Sequence, residues 1–233
     1  MKTVKKRFLI IFVLTWYLFF QTYESYSQEF KYEIGGAIGT SFYIGDANKS
    51  KLFFNPGITG GALFRYNTSF HWALKVSLIA GKVSGMSENE DNSFPFQQKA
   101  EFERIFGEIG TQVEFNFLPY SDKFSYIGTK KYTPYIFTGA SLTYATGEKD
   151  YYGLNVPFGA GFKYKLKNRM NIGIEFSIRK LFRDDFDVTS GNNEWNLDNP
   201  YGINSSIFKN QDRYSLTMIF LTWEFSSRDE PCR

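Results

Sequence analysis

The chain has 233 residues, which suits one domain, and it combines 42% hydrophobic and 20% aromatic residues with a net charge of +3. Its mean hydropathy is nevertheless slightly negative, at −0.34, which excludes a bundle of transmembrane helices. A chain that is rich in aromatic side chains yet hydrophilic on average is typical of strands that alternate lipid-facing and lumen-facing residues.

The first predicted element is a secretory signal peptide. Its basic start consists of Lys2, Lys5, Lys6 and Arg7. An uncharged apolar run covers residues 8–20, and small polar residues follow, so we predict cleavage after Ser27 with Gln28 as the mature N-terminus. A retained signal anchor is the alternative, although the run is shorter than the about 20 apolar residues of a membrane-spanning helix.

Cleavage would change the charge of the chain. It removes four basic groups and Glu24, so the mature charge is about 3 − (4 − 1) = 0. Because no basic stripe remains, nucleic acid is not an expected partner. The single cysteine, Cys232, lies far from the signal and can neither form an internal disulfide nor be the lipidated residue of a lipoprotein. We predict one mature domain, residues 28–233.

The mature chain repeats segments of about ten residues in which apolar and polar side chains alternate. In the clearest segment, 105–117, one face carries Ile105, Ile109, Val113, Phe115 and Phe117, and the other carries Glu108, Gln112, Glu114 and Asn116. Successive strand residues point to opposite faces, so this segment has one apolar and one polar side. The predicted strands are 30–44, 56–67, 71–84, 105–117, 132–144, 154–166, 170–179 and 213–225. These indicate an all-β fold, a closed antiparallel transmembrane β-barrel of about eight strands.

Residues 154–166 and 170–179 are joined by a tight turn at Asn168 and Arg169, which predicts a β-hairpin. Both faces of segment 132–144 are apolar, so the pattern does not determine which of them faces the lumen.

The connections between the strands fall into two classes. If both chain ends are periplasmic, the outer links are 45–55, 85–103, 145–153 and 180–212. The periplasmic links are then 67–71, 119–131 and 167–169. The outer set is generally longer and rich in Asn, Asp, Ser and Gly. Short periplasmic turns and longer outer loops are the asymmetry expected of an outer-membrane barrel.

Aromatic residues gather at the predicted periplasmic ends of the strands. The predicted interfacial aromatics are Tyr66, Trp72, Phe117, Tyr164, Trp223 and Phe225. Amphipathic rings prefer the boundary between membrane and water. The alternative explanation is the ordinary preference of aromatic residues for strands.

The predicted inward faces carry charges of both signs. These residues are Lys31, Glu33, Arg65, Lys75, Glu108, Glu114, Lys163, Lys165, Glu175 and Arg179. An eight-stranded barrel is only wide enough to be filled by side chains, and buried charges must pair because an unpaired one is costly. We therefore predict a plugged barrel, with a gated charged channel as the alternative.

Catalytic and metal-binding patterns are weak. The single histidine, His71, lies in a predicted turn with no acidic neighbour to orient it, so we expect no enzyme activity. The acidic run Asp184, Asp185 and Asp187 lacks the spacing of a calcium loop. We expect no cofactor, no metal site and no small-molecule substrate. An outer-membrane lipid enzyme is a disfavoured third possibility.

Several stretches together resemble the PorG-like outer-membrane proteins of Bacteroidetes. They are IGGAIGTSFYIGDANKSKLF at 34–53, FRYN at 64–67, GKVSG at 81–85, VEFNF at 113–117, PFGAGFKYKL at 157–166 and RKLFRD at 179–184. The resemblance implies a component of the type IX secretion and gliding-motility machinery. In that family the barrel contacts a periplasmic ring made of a lipoprotein and its partner, and there are no catalytic residues to carry over.

The topology suggests where such partners would bind. The longest predicted periplasmic link, 119–131, offers the candidate contacts Tyr120, Asp122, Lys123, Tyr126, Lys130 and Lys131. The leading hypothesis is an outer-membrane barrel that anchors or docks the secretion machinery, surrounded by outer-membrane lipid. The alternative is a small barrel for adhesion or envelope integrity that acts through loops 86–103 and 180–212.

Overall fold

The computed structural model describes residues 30–44, 56–86, 101–122, 128–147, 150–182 and 213–227. Eight strands form one closed antiparallel barrel, in which each strand pairs with the next and the last pairs with the first. The strands are β1 Phe30–Ile44, β2 Gly57–Asn67, β3 Trp72–Met86, β4 Glu101–Asn116, β5 Tyr132–Thr146, β6 Tyr151–Lys165, β7 Met170–Leu181 and β8 Arg213–Ser227. The predicted eight-stranded antiparallel barrel is confirmed. The proposed signal and its cleavage site at Ser27 and Gln28 lie outside the described residues.

The alternation of side chains separates the inside of the barrel from the outside along every strand. It also resolves the orientation of β5, where exposed and buried residues alternate over its whole length. Tyr135 and Phe137 point inward, and Ile136 and Leu142 point outward. Since both faces of β5 are apolar, pattern alone could not make this choice.

Glycines on β6 explain why the aromatic face of β5 turns inward. Tyr135 pairs with Gly161 across the two strands, and Phe137 pairs with Gly159. A Cβ atom at Gly161 would lie 2.6 Å from the Tyr135 ring. The inward ring therefore occupies the space that a side chain on the neighbouring strand would need, which is how aromatic residues cover glycines in curved sheets.

The two ends of the barrel differ in their connections. We call the end where β1 begins and β8 ends the terminal rim; its links are 68–71, 117–131 and 166–169. We call the other end the loop rim; its links are 45–56, 87–100, 147–150 and 182–212. The predicted link 145–153 was too long, because β5 and β6 continue to pair up to Ala145 and Tyr151 and leave only 147–150 between them. The terminal-rim links 68–71 and 166–169 are short, as predicted, but link 117–131 is longer than the loop-rim links 45–56, 87–100 and 147–150, so the predicted asymmetry of length does not hold for every link.

The interior is layered. A cluster of buried apolar side chains lies toward the loop rim and includes Tyr43, Phe106, Tyr151 and Tyr214. A second, smaller cluster contains Leu63, Tyr135, Phe137 and Phe220. Most of the buried charges lie between this second cluster and the terminal rim, so the two ends of the lumen have different chemistry. Within the described residues, no helix has the length and hydropathy needed to cross a membrane.

Candidate functional site

The outer surface of the barrel is apolar over the height of the strands. Outward side chains such as Ile38, at 73% exposed, and Ile58, at 82%, have no protein neighbours covering them. In water, burying such groups would stabilise the chain by roughly 25 cal/mol per Å², so a continuous exposed belt is the pattern of a barrel that stands in lipid. The inside and the outside of this protein are thus inverted relative to a water-soluble barrel.

Aromatic rings cover the outer surface near the terminal rim. Of the predicted interfacial aromatics, Trp72, Phe117, Tyr164 and Trp223 are exposed, and Tyr66 and Phe225 are half-buried. The rings contact one another both across and along strands: Tyr32 of β1 stacks on Tyr66 of β2 at 5.4 Å, and Trp223 stacks on Phe225 within β8 at 5.9 Å. Three further rings join this girdle: Tyr32, Phe115 and Tyr132.

Nine of the ten predicted interior charges are buried, and Lys31 near the start of β1 is half-buried. Among the described residues the structure buries five acids and six bases, which include two that the sequence pattern did not single out, Arg104 and Glu224. Both follow the alternation: Arg104 shares a face with Glu108, and Glu224 lies between the outward Trp223 and Phe225. Near-equal numbers of the two signs are the condition under which buried charges can pair.

Glu114 is the centre of the charged layer. Its carboxylate lies 2.9 Å from Arg65 Nε, 2.6 Å from Lys163 Nζ and 3.5 Å from Lys75 Nζ. Arg65 bridges to a second carboxylate, with 2.5 Å between its Nη1 and Glu33 Oε2. One buried carboxylate therefore lies in ion-pair contact with three cations that come from three different strands, and two of these cations, Arg65 and Lys75, also contact Glu33 and Glu175.

The carboxylate of Glu33 is held by neutral donors as well as by Arg65. The side-chain amide of Asn67 donates to Glu33 Oε1 at 2.8 Å, and the Thr222 hydroxyl donates to Oε2 at 2.9 Å. Because β1 lies between β2 and β8, these bonds tie the strands on both sides of the closing seam to one side chain.

Two other groups extend the network toward the loop rim. Lys75 Nζ lies 2.5 Å from Glu175 Oε2, which also accepts a hydrogen bond of 2.8 Å from the Tyr135 hydroxyl. Nearer the loop rim, Glu108 binds Arg179 at 3.1 Å and accepts a hydrogen bond from the Tyr214 hydroxyl. The two tyrosines were not predicted as partners, because on an inward face an aromatic residue looks like packing alone.

The last group closes the terminal rim. Lys165 pairs with Glu224, and the side-chain amide of Asn171 donates to the same Glu224 oxygen at 2.9 Å. The Tyr120 hydroxyl donates to Asn171 Oδ1 at 3.1 Å, and Lys165 Nζ lies 4.7 Å from the centre of the Tyr120 ring. Link 117–131 thus inserts a tyrosine into the mouth of the barrel.

Tyr120 was predicted as a partner contact on the surface, and the structure corrects that position. Its side chain is 1% exposed, because the ring packs over two lysines that would otherwise end the charged layer. Burial raises the pKa of the Tyr120 phenol well above its usual value, so the hydroxyl remains a hydrogen-bond donor. Of the other candidate contacts, Asp122, Lys130 and Lys131 are exposed, and Lys123 and Tyr126 lie outside the described residues.

The interior between these layers is closely filled. A cavity of about 20 Å³ remains beside Lys75, Ser77 and Glu175, which is room for about one water molecule. The width of an eight-stranded barrel predicts a lumen occupied by paired side chains. The described part of the chain has this arrangement.

The remaining polar candidates have structural surroundings. His71 is half-buried in link 68–71, where its ring stacks on Phe115 at 6.2 Å and its backbone N–H donates to Ser69 Oγ at 3.3 Å. In the described ranges, no three His, Cys, Asp or Glu side chains converge as metal ligands would. The acidic run 184–187 and the long parts of loops 86–103 and 180–212 lie outside those ranges.

Comparisons with known proteins give one family and several distant structural likenesses. The chain is similar to Neisserial surface protein A, NspA, with 10% identity, coverage of 83% of this chain and 97% of that chain, and a TM-score of 0.48. For OprG from Pseudomonas aeruginosa the identity is 11%, the coverage 87% and 99%, and the TM-score 0.45. For Ail of Yersinia pestis, solved with the heparin analogue sucrose octasulfate, the identity is 10%, the coverage 84% and 97%, and the TM-score 0.43.

A search of curated proteins found no match to this chain. The family model for a domain of unknown function, DUF6089, matches residues 5–233, which is nearly the whole chain, and the protein therefore belongs to the DUF6089 family.

Proposed function

We propose that this protein is an exported, non-enzymatic outer-membrane barrel that docks periplasmic ring proteins of a type IX protein secretion machinery. The membrane placement is supported by the exposed apolar belt and by the aromatic girdle near the terminal rim. With both chain ends in the periplasm, the terminal rim faces the periplasm and the loop rim faces the outside of the cell.

One observation carries the docking role: among the described residues the lumen is filled with paired side chains, and Tyr120 of link 117–131 occupies its terminal mouth. A barrel whose described interior is filled in this way has no open conduit in that part of the chain, which supports a protein that acts through its surfaces. The link that closes the mouth is also the longest one on the terminal rim, which makes it the natural contact for a periplasmic protein.

The proposed contacts are the exposed residues of this link, Asp122, Lys130 and Lys131, together with Lys123 and Tyr126. The resemblance to PorG-like proteins supplies the identity of the partner, and the geometry supplies the side of the barrel on which the partner would bind. Tyr120 holds the link in place from inside the barrel rather than touching the partner.

The test is a deletion strain that is complemented with wild-type protein or with the double variant Lys130→Glu/Lys131→Glu. We expect deletion to leave secreted cargo in the periplasm, and the double variant to insert normally but restore secretion poorly. A tagged wild-type barrel should co-purify with periplasmic ring proteins. Normal cargo secretion in the deletion strain would overturn the proposal.

The competing function, adhesion or envelope integrity through the outer loops, has one observation in its favour. Links 87–100 and 182–212 are the two longest connections of the loop rim. The strands that each of them joins, β3 with β4 and β7 with β8, form regular antiparallel pairs. Shortening both links while keeping the strands should leave secretion intact under the docking proposal. Loss of cell attachment or envelope resistance with normal secretion would favour the competing function instead.

A further inference from the structure

The pairing between β5 and β6 is interrupted near the middle of the two strands. Along β5 the register passes from Thr138 directly to Ser141, and the two residues between them have no partners on β6. Pro157 lies opposite this interruption and has no backbone N–H to donate to β5. In the seven other strand pairs the register skips one residue, Lys31, which lies next to the start of β1. We call the interruption between β5 and β6 the β5–β6 gap.

The β5–β6 gap lies within the apolar belt of the barrel, where it needs a cover. Hydrocarbon neither donates nor accepts hydrogen bonds, so irregular backbone at membrane depth occurs where protein or water covers it. On the lumen side the adjacent side chains of Phe137 and Asn155 are buried within the protein. On the outer side Ala140 and Phe158 are exposed in a single barrel. The outer side of the gap therefore lacks the cover that its backbone requires.

Two threonine hydroxyls lie on the outer face beside the gap. Thr138 is the last residue of β5 before the gap, and Thr111 of β4 pairs with Ala140, one of the two gap residues. Both threonines are exposed, and neither hydroxyl has a hydrogen-bond partner among the described residues. Their neighbours on the same face, such as Val113 and Ile136, are apolar. A single barrel in lipid would leave both hydroxyls without a partner.

The two hydroxyls lie at the same height on the barrel and far from the lipid headgroups. Thr111 is six residues from Phe117, Thr138 is six residues from Tyr132, and both of these rings belong to the aromatic girdle. With a rise of about 3.3 Å per residue and a strand tilt near about 45°, six residues span roughly 14 Å along the membrane normal. This depth is close to the middle of an apolar band about 25 Å tall, so headgroups cannot bind these hydroxyls.

The outer face at the gap is self-complementary. Two copies of the chain inserted in the same orientation are related by a two-fold axis along the membrane normal, and this axis brings together residues of equal height. A threonine hydroxyl both donates and accepts a hydrogen bond. Thr111 of one copy can therefore bond to Thr138 of the second copy, and the symmetry repeats the bond in reverse. The small side chain of Ala140 between them lets the two walls approach closely.

We infer that the outer face of β4, β5 and β6 around the β5–β6 gap is the interface of a symmetric dimer of this protein in the membrane. The second copy covers the interrupted backbone and supplies partners for Thr111 and Thr138. This dimer goes beyond the proposed docking function and is independent of it, because the interface lies on the barrel wall and not on the terminal rim.

The first experiment is cysteine cross-linking in the outer membrane, with the native cysteine removed by Cys232→Ser. Copies that carry Thr111→Cys and one tag are expressed together with copies that carry Thr138→Cys and a different tag. Oxidation should link the two tags in a product with the mass of two chains. The control is Ile38→Cys in both copies, at an exposed position six residues from Tyr32 of the girdle, on the strand farthest from β5. It should give no linked product.

The possible products of cross-linking decide between the occupants of this face. No product that contains both tags, or an equal yield from Ile38→Cys, would overturn the inference. A product in which the threonine positions are linked to a different membrane protein would assign the face to that protein and would also overturn it. Cargo secretion is not part of the readout, so the dimer and the docking function can fail separately.

The second experiment measures the strength of the dimer by fluorescence energy transfer between labelled copies in vesicles of decreasing protein content. Thr111→Val/Thr138→Val keeps the shape of both side chains and removes their hydroxyls. It should weaken the dimer by about tenfold, which corresponds to the loss of two hydrogen bonds of ordinary strength within a membrane.

The matched control is Thr146→Val, an exposed threonine of β5 near the loop rim whose hydroxyl already donates to the Ile105 carbonyl at 3.2 Å. It should leave the energy transfer unchanged. Urea unfolding in the same vesicles verifies that both variants are folded. A folded Thr111/Thr138 variant that dimerises as strongly as wild type, or a control that weakens the dimer equally, would overturn the inference.

Discussion

Removing the carboxylate of Glu114 should strongly destabilise this barrel. Glu114→Gln keeps the size of the side chain and deletes the charge that lies within 3.5 Å of Arg65, Lys75 and Lys163. After the change Arg65 still has Glu33 and Lys75 still has Glu175, but Lys163 keeps no carboxylate within ion-pair distance among the described residues.

The expected cost follows from the burial of these groups. Arg65, Glu114 and Lys163 have side chains that are 0–1% exposed, so water cannot take over the lost pairing. Breaking a fully buried pair by removing one partner costs about 3–5 kcal/mol, because the charge left behind is desolvated and uncompensated. An exposed pair is the contrast: Lys82 and Glu103 are 50% and 61% exposed, and losing that pair should cost less than about 1 kcal/mol.

The assay is urea unfolding of the purified barrel in lipid vesicles or detergent, followed by tryptophan fluorescence, with Lys82→Gln as the matched control. The double variant Glu114→Gln/Lys163→Gln should recover part of the lost stability, because it removes the cation that the single variant leaves unpaired. A loss below about 1 kcal/mol for Glu114→Gln, or the absence of any recovery in the double variant, would refute the pairing scheme.

Three other predictions concern packing, lipid contact and processing. Gly161→Ala should lower the free energy of unfolding by about 1–3 kcal/mol in the same assay, because the new Cβ meets the buried Tyr135 ring at 2.6 Å. Gly107→Ala, whose Cβ would have no atom within 4 Å, should change it little. Similar effects at both positions would contradict the packing role of the ring. Ile174→Arg introduces a charge at an outward position that is 49% exposed, near the middle of β7, and should lower folding stability in vesicles by about 2–4 kcal/mol. The same change in a barrel surrounded by water would be nearly neutral. An unchanged stability would therefore argue against lipid at this face. Mass spectrometry of the protein from outer membranes should find Gln28 at the mature N-terminus, and an intact residue 1–27 segment would show that the signal is retained.

Much of the fold was accessible from the sequence because barrel strands alternate with a period of two residues. The faces of 105–117 and of the hairpin around Asn168 and Arg169 could be read directly, since a one-residue slip would exchange all lipid-facing and lumen-facing side chains. The same alternation gave ten interior charges, and the structure buries all of them except Lys31, which is half-buried.

The alternation did not predict side-chain positions where both faces of a strand are apolar or where a residue lies outside a strand. The orientation of β5 depended on glycines of β6 that accept the Tyr135 and Phe137 rings. Tyr120 comes after the end of β4, where side chains no longer alternate between the two faces of a strand. Its position inside the mouth depends on contacts with Asn171 and with the lysines of β6.

The sequence by itself determined which residues of a strand share a face, because the direction of a side chain on a strand is a local property of the backbone. On strands with one polar and one apolar face it also determined which of them face the lumen. Only the tertiary structure decided which of those residues pair. Lys75 and Glu175 are 100 positions apart, and Arg65 and Glu114 are 49 apart, and each pair meets only after the barrel has closed. Closure fixes the distance across the lumen, and that distance, rather than any pattern along the chain, selects the partner of each buried charge.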